Sequence, residues 1–174
     1  NISDFVVMIQ THARRETHQN DPYVSAFERL ENSGADHSPS WIYPIRKAGI
    51  DRFVELGFPT VKDEDWRFTN VAPIAKLPFQ PVTEYSAEGL SGIERFTFAG
   101  LTANRLVFIN GIYSHELSTI HHQSGTIKIK NLATALRTDS DLVSQHFGKY
   151  AAGENQAFVA LNNAFFQDGA FIHI

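Results

Sequence analysis

The spacing of apolar and polar residues predicts helices in the first third of the chain. In the first helix, the apolar residues recur at the spacing of one helical face: Ile2, Phe5, Val6, Ile9 and Ala13. In the second, Asp21 is placed to cap the helix, Pro22 suits its first turn, and Gly34 is placed to end it. The predicted apolar stripe of the second helix consists of Tyr23, Ala26, Phe27 and Leu30.

A third helix is predicted to start at Pro44, because a proline deeper inside a helix would cost a hydrogen bond. Its end is well specified by the sequence. Gly57 can adopt the left-handed backbone conformation, and Pro59 forbids continuation of the helix. Phe58 can fold back against Phe53, which completes the prediction of a Schellman-type end.

Short strands are predicted in the second half of the chain. Residues 59–94 contain many prolines and glycines with little periodicity, so we interpret them as an extended crossing segment. Phe96 and Phe98 alternate with polar residues, as do Ile127 and Ile129, and both patterns indicate a strand.

A β-hairpin is the clearest of the strand signals. The apolar run 106–109 leads through Asn110 and Gly111 into Ile112 and Tyr113. An Asn-Gly pair between apolar segments favours a type I′ turn, because both central residues of that turn need a positive φ. We therefore expect an antiparallel pair of strands here.

Helices are predicted to return after the hairpin. Thr138 and Asp141 have the spacing of a capping pair at a helix start. A later helix is predicted to place four residues on one face: Phe158, Leu161, Asn162 and Phe165. Asp168 and Gly169 indicate a turn, and residues 170–174 indicate a terminal strand.

These elements predict an α+β fold with amino-terminal helices and a small antiparallel sheet that contains a hairpin. The predicted organisation is a helical leader over 1–58, the crossing segment over 59–94, and a small sheet with helices over 95–165. The chain stops within an apolar strand, whose unpaired edge normally pairs with something. We expect either a truncated chain or a partner that completes the sheet, and a homodimer through this strand is one alternative.

Composition excludes several classes of function. Hydrophobic residues make up 43% of the 174 residues, enough for a core, and cysteine is absent. Disulfides, thiolate zinc sites and cysteine-ligated iron–sulfur clusters are therefore excluded within these residues.

The net charge of -4 argues against nucleic-acid binding, and Lys76, Lys128 and Lys130 are interpreted as solubilising. No apolar run approaches the roughly 20 residues of a membrane span, so we expect a cytoplasmic protein.

An acidic run stands beside a tryptophan. Asp63, Glu64 and Asp65 could serve acid–base chemistry or a hard metal ion. Consecutive residues cannot all face one point, so a solvated turn or a helix start is the stronger interpretation. Trp66, followed by Arg67, is predicted to be a buried anchor whose indole N–H needs an acceptor.

A histidine cluster provides an alternative function, a small metal-dependent hydrolase. His115 and Glu116 with His121 and His122 could complete a tetrahedral zinc site. The spacing is unfavourable, because position 119 is Thr and a zincin needs two His four residues apart around the Glu. The remaining histidines stand singly and are interpreted as surface residues: His12, His18, His37, His146 and His173.

The run from Gly57 to Thr69, GFPTVKDEDWRFT, resembles a signature in the amino-terminal region of SufD, within the SufB/SufD family of iron–sulfur cluster assembly proteins. The hairpin run 105–111, the junction 129–136 and the run 158–170 are also similar to that family. We assign a structural rather than a catalytic role to twelve residues of these runs: Gly57, Pro59, Asp63, Glu64, Asp65, Trp66, Arg67, Asn110, Gly111, Asn162, Asp168 and Gly169.

The resemblance implies a longer protein that continues into a right-handed parallel β-helix, with residues 166–174 as the start of its core. It implies a non-catalytic scaffold subunit with a SufB-type paralogue and a SufC-type ABC ATPase as partners, in the cytosol or a plastid stroma. No cofactor is expected on this chain, since the iron–sulfur cluster would be handled by the parent complex. A free-standing protein-interaction domain that acts through its terminal strand is a further alternative.

Overall fold

The computed structural model describes residues 21–33, 38–77, 79–86, 93–98, 103–121, 125–151 and 155–174. The helix predicted between Ile2 and Ala13, and the predicted stop at Gly34, lie outside these residues. The chain divides into two compact units. The first unit comprises residues 1–36, 41–81 and 148–165, and the second comprises residues 37–40, 82–147 and 166–174.

The first described helix, α1 (Pro22–Asn32), begins as its sequence predicts. The Asp21 carboxylate accepts a hydrogen bond of 2.8 Å from the backbone N–H of Tyr23, one of the amides that a helix start leaves without a partner. Ala26, Phe27 and Leu30 are buried along one face. The predicted cap and these three stripe residues are thereby confirmed.

Helix α2 (Ile42–Leu56) begins two residues before the predicted start at Pro44. The proline occupies the third helical position, where its missing N–H would have had no intrahelical partner, so the helix loses no hydrogen bond there. The far end is set by Gly57, with φ 68° and ψ -177°. That conformation is essentially restricted to glycine, but it is extended in ψ, so the predicted left-handed Schellman end is wrong.

The end of α2 instead uses a single hydrogen bond, from the Gly57 N–H to the Phe53 carbonyl at 2.8 Å. The predicted contact of Phe58 with Phe53 is confirmed, with ring centroids 5.2 Å apart in an edge-to-face arrangement. Tyr23 of α1 packs edge-on against both rings. This aromatic cluster joins the helix end to the core of the first unit.

Helix α6 (Ala157–Phe165) lies against α2 in the first unit. Its fully buried positions are Ala157, Ala160 and Ala164, whereas Asn162 is exposed. The predicted face is confirmed in part: Phe158, Leu161 and Phe165 are half-buried against the core, but Asn162 is not. The alanines hold the buried contact with α2, because the two helices approach too closely there for large side chains. A Cβ atom added to Gly49 of α2 would lie 2.7 Å from the Ala164 backbone nitrogen.

Short helical turns interrupt the segment that the sequence indicated as extended. A 3₁₀ helix spans Glu64–Trp66, and α3 (Ala72–Ala75) follows with a proline in its first turn. The Asn70 side chain accepts a hydrogen bond of 3.0 Å from the Ala72 N–H at the start of α3. Side chains that bond nearby backbone amides produce these turns without any apolar periodicity.

In the second unit, β1 (Arg105–Ile109) and β2 (Ile112–Thr119) form the predicted antiparallel hairpin. Asn110 has φ 50° and Gly111 has φ 87°, the pair of positive angles that a type I′ turn requires. Ile109 pairs with Ile112, and the register shifts between Arg105 and Val107. The hairpin prediction is confirmed.

A second antiparallel pair joins β3 (Lys128–Asn131) to β4 (Ala170–His173), with Ile129 opposite Ile172. Both strands were predicted. Helices α4 (Leu132–Thr138) and α5 (Ser140–Ser144) follow β3 along the chain. The described residues therefore have the predicted α+β character.

The strand predicted through Phe96 and Phe98 is wrong. Phe96 ends a 3₁₀ helix, Ile93–Phe96, and the two rings are 74% and 83% exposed. Alternation indicates a strand only where one face becomes buried, and neither ring is covered here. The Arg95 guanidinium lies 4.7 Å from the centroid of the Phe96 ring instead.

The predicted capping pair of Thr138 and Asp141 is also wrong. Thr138 is the last residue of α4, and its hydroxyl donates to the Thr134 carbonyl at 3.1 Å. Asp139 holds the N-cap position of α5. Among the described helices, none is long and apolar enough to cross a membrane.

Candidate functional site

The motif around Gly57 forms one wall of a cleft in the first unit. After α2 ends, Thr60 and Asp63 close a tight turn. The Thr60 N–H and hydroxyl donate to the Asp63 carboxylate at 2.6 and 3.1 Å, and the Asp63 N–H donates to the Thr60 carbonyl at 3.0 Å. The backbone N–H of Thr60, and then its hydroxyl, hold the pKa of Asp63 below its ordinary value.

Trp66 lies at the end of this turn and packs on α6. Its ring centroid is 5.2 Å from that of Phe158, which in turn lies 5.8 Å from Phe58. Trp66 is only partly buried. The prediction of a buried anchor is therefore wrong, because Trp66 lines an open cleft.

The cleft beside Trp66 has a volume of about 480 Å³, and we call it the acidic cleft. The acidic run Asp63–Asp65 lines it together with Trp66, and all three acidic residues are exposed. Further lining residues lie at the start of α6 and directly before it. They are Asn155, Gln156, Ala157 and Phe158.

The charges at the acidic cleft are unevenly balanced. Within the described part of the chain, Glu64 and Asp65 form no ion pair. The guanidinium of Arg67 lies 5.4 Å from the centroid of the neighbouring Phe68 ring. Arg52 reaches Asn155 at 3.4 Å, but its charge is offset by Glu55 at 2.7 Å. Among the described residues that line the acidic cleft, the charged side chains are three carboxylates and no cation.

The described members of the histidine cluster do not form a metal site. His115 and Glu116 are exposed neighbours on β2, where successive side chains point to opposite faces. His121 is exposed, its backbone N–H donates to the Asn104 side chain at 2.8 Å, and His122 lies outside the described residues. The described residues contain no group of three or more His, Cys, Asp or Glu side chains that could hold a metal ion.

Asp168 accepts several hydrogen bonds within the second unit. Its carboxylate accepts hydrogen bonds from Asn131 Nδ2 at 2.9 and 3.1 Å, and from the backbone N–H groups of Ala133 and Gly169 at 2.9 Å. A longer bond of 3.3 Å comes from the Tyr113 N–H of β2. Asp168 and Gly169 lie in the irregular connection between α6 and β4 and not in the predicted turn.

Asp168 and Gly169 together cap the amino terminus of α4, although they lie far from it in the sequence. Asn131 occupies the N-cap position but makes no side-chain cap hydrogen bond to its own helix. The Gly169 carbonyl accepts from the Leu132 N–H at 2.6 Å, and Asp168 accepts from the Ala133 N–H. The segment before β4 therefore satisfies the first two amides of α4.

The sequence also gave no indication of an ion-pair cluster beside β3. Lys128 and Lys130 share one strand face and both donate to Asp139 at 2.6 Å, while Thr138 donates to it at 2.7 Å. These lysines are therefore structural, not merely solubilising. The Lys128 contact first, then Lys130 and Thr138, hold the pKa of Asp139 well below its ordinary value.

The comparisons with known proteins agree with the motif. The family model for the SufBD protein N-terminal region matches residues 17–174, and the chain belongs to this family. A relative from Synechocystis sp. (strain ATCC 27184 / PCC 6803 / Kazusa), the iron-sulfur cluster assembly SufBD family protein slr0076, is 26% identical over 129 residues. The alignment covers 74% of this chain but 28% of the relative, so the chain spans little more than a quarter of that protein. No solved structure matches.

Proposed function

We propose that this chain is the amino-terminal region of a SufD-like scaffold subunit of an iron–sulfur cluster assembly complex. The observation that carries the proposal is the family match over residues 17–174. The relative whose name refers to iron–sulfur cluster assembly supports the same process. The assignment to the SufD branch rests on the resemblance of the run from Gly57 to Thr69.

An architectural, non-catalytic role is supported by how the chain uses its charged side chains. Asp168 accepts from backbone amides on β2, on α4 and directly before β4, and Asp139 holds two lysines of β3. Carboxylates committed to several donors have little capacity left for acid–base chemistry, because their protonation would break those contacts. Their positions favour stability of the second unit.

We further propose that β4 begins the first wall of a parallel β-helix built by the rest of the parent protein. In support, the outer edge of β4 pairs with no strand among the described residues, and Ile172 and Ile174 are 59% and 88% exposed. Exposed apolar strand edges are normally covered. The proposed organisation keeps the predicted regions 1–58, 59–94, 95–165 and 166–174.

The proposed partners are a SufB-type paralogue and a SufC-type ABC ATPase, which would contact the parent outside this chain, in the cytosol or a plastid stroma. The test is anaerobic co-expression of the full-length parent with both subunits, followed by affinity purification and native mass spectrometry. A complex with one parent and one SufB-type copy is expected, together with the ATPase.

A complex with two copies of the parent and no SufB-type subunit would contradict the SufD assignment. Failure of both subunits to co-purify would contradict the scaffold role itself. The parent carrying Glu28→Gln on the exposed side of α1 is the matched control, and it should retain both partners.

A further inference from the structure

The acidic cleft combines two features that favour one kind of ligand. Part of its lining is aromatic, since Trp66 packs against Phe158 with the two rings tilted at 45° and leaves part of the indole exposed. Its lining carries three exposed carboxylates, and among the described residues only that of Asp63 is engaged by a neighbouring residue. A ligand that fits both features has an apolar side chain next to a cation.

The start of α6 opposes this preference only weakly. A helix amino terminus is equivalent to about half a positive charge, and it would attract an anion. The three carboxylates of Asp63, Glu64 and Asp65 outweigh it. The electrostatic preference of the acidic lining is therefore for a cation, which argues against phosphate groups, nucleic acids and anionic lipid surfaces as ligands.

The wall of the acidic cleft is fixed in shape before any ligand arrives. Gly57 holds its glycine-only conformation and Pro59 has a restricted φ, and both line the cleft. The turn between Thr60 and Asp63 is closed by its own hydrogen bonds. A preformed site loses less conformational entropy on binding than a flexible one.

We propose that the acidic cleft is a docking site for a peptide segment of a protein partner that presents Lys or Arg beside a large apolar side chain. The cation lies among the carboxylates of Glu64 and Asp65, and the apolar side chain lies on Trp66. A cleft of about 480 Å³ accommodates two or three side chains, so the contact is weak by itself and adds to a larger interface. The cleft would bind such a segment whether or not the parent acts in iron–sulfur assembly.

The test uses the full-length protein and three fluorescein-labelled hexapeptides in anisotropy titrations. The first is basic and apolar, Gly-Arg-Leu-Lys-Phe-Gly; the second is basic and polar, Gly-Arg-Ser-Lys-Ser-Gly; the third is acidic and apolar, Gly-Glu-Leu-Asp-Phe-Gly. The first peptide is expected to bind with a Kd of about 0.1–1 mM and at least about fivefold tighter than either of the others.

The double variant Glu64→Gln/Asp65→Asn is expected to weaken binding of the first peptide by about 3- to 10-fold, since two exposed charge contacts are lost. The charge-matched control Glu28→Gln/Glu84→Gln removes two exposed carboxylates that do not line the acidic cleft, and its Kd should stay within about twofold. Circular dichroism melts check that both variants are folded. Absence of saturable binding below about 2 mM, equal affinity for the first two peptides, or equal weakening in both double variants would overturn the proposal.

Discussion

Gly49 of α2 and Ala164 of α6 are in such close contact that a methyl group cannot fit between them. A Cβ atom on Gly49 would lie 2.7 Å from the Ala164 nitrogen and 2.8 Å from the Ala160 carbonyl oxygen. Both are backbone atoms, so no side-chain rotation relieves the clash. Alanines on α6 and a glycine on α2 are what allow these helices to pack at this distance.

Gly49→Ala is therefore expected to destabilise the protein. Overpacking against a backbone costs about 3 kcal/mol, and the better helix propensity of alanine recovers only about 1 kcal/mol. The expected net loss in the free energy of unfolding is about 2 kcal/mol, measured by urea denaturation. Gly125→Ala is the control, because nothing lies within 4 Å of its added Cβ, and a variant Gly49→Ala as stable as this control would contradict the packing argument.

Gly57→Ala tests a conformational effect without a steric clash. No atom lies within 4 Å of the added Cβ, but φ is 68° and ψ is -177°. The expected loss is about 1–3 kcal/mol, from the backbone conformation alone. D-Alanine introduced at this position by chemical ligation should keep wild-type stability, because a D-residue favours positive φ. Equal losses for the two alanine enantiomers would show that backbone conformation is not the cause.

Asp168→Asn should strongly destabilise the second unit, although it preserves the size of the side chain. The amide NH₂ that replaces one carboxylate oxygen faces donors, namely Asn131 Nδ2 and the N–H groups of Ala133 and Gly169. Hydrogen bonds to a charged group contribute about 1.5–3 kcal/mol each, so a loss of about 3 kcal/mol is expected. Urea denaturation measures it, and hydrogen exchange should show faster exchange at Ala133. Asp141→Asn, an exposed acid on α5, should change stability by less than about 0.5 kcal/mol.

The stability of the second unit is expected to depend on Asp139 under acidic conditions. The pKa of Asp139 is lowered in the folded state by Lys128, Lys130 and Thr138, so the folded protein binds its proton less readily than the unfolded chain. The contribution is fully present above the unfolded pKa of about 3.9 and is lost as the pH falls through the lowered folded value.

Melting temperatures measured between pH 6 and pH 2 should therefore fall less steeply for Asp139→Asn than for the wild-type protein. In carbon-13 NMR titrations, the double variant Lys128→Met/Lys130→Met should raise the pKa of Asp139 toward its ordinary value. An unchanged Asp139 titration in that variant would contradict the assigned cause.

Local sequence patterns predicted the elements that depend on neighbouring residues. The cap of α1 needs Asp21 and Tyr23, and the hairpin needs Asn110 and Gly111, which are adjacent in the chain. In each case the physical cause lies within a few residues. The glycine at position 57 was likewise recognised as a helix stop, although its ψ could not be inferred.

Contacts between distant residues were not predictable in the same way. The buried face of α6 is set by the approach of Gly49, and the packing of Trp66 by the position of Phe158. The role of Asp168 depends on Asn131, which lies 37 residues earlier. Periodicity carries no information about such pairs, because it describes the spacing of apolar residues within one element.

The capping of α4 by the segment before β4 also has a consequence for biosynthesis. Ala133 leaves the ribosome 35 residues ahead of the carboxylate that accepts its amide hydrogen. The amino terminus of α4 therefore lacks this acceptor, and stays solvated or held by a chaperone, until Asp168 is translated. Nascent chains arrested before that point should be readily cleaved near residue 132, and resistance to proteases should rise sharply once the ribosome has released Asp168.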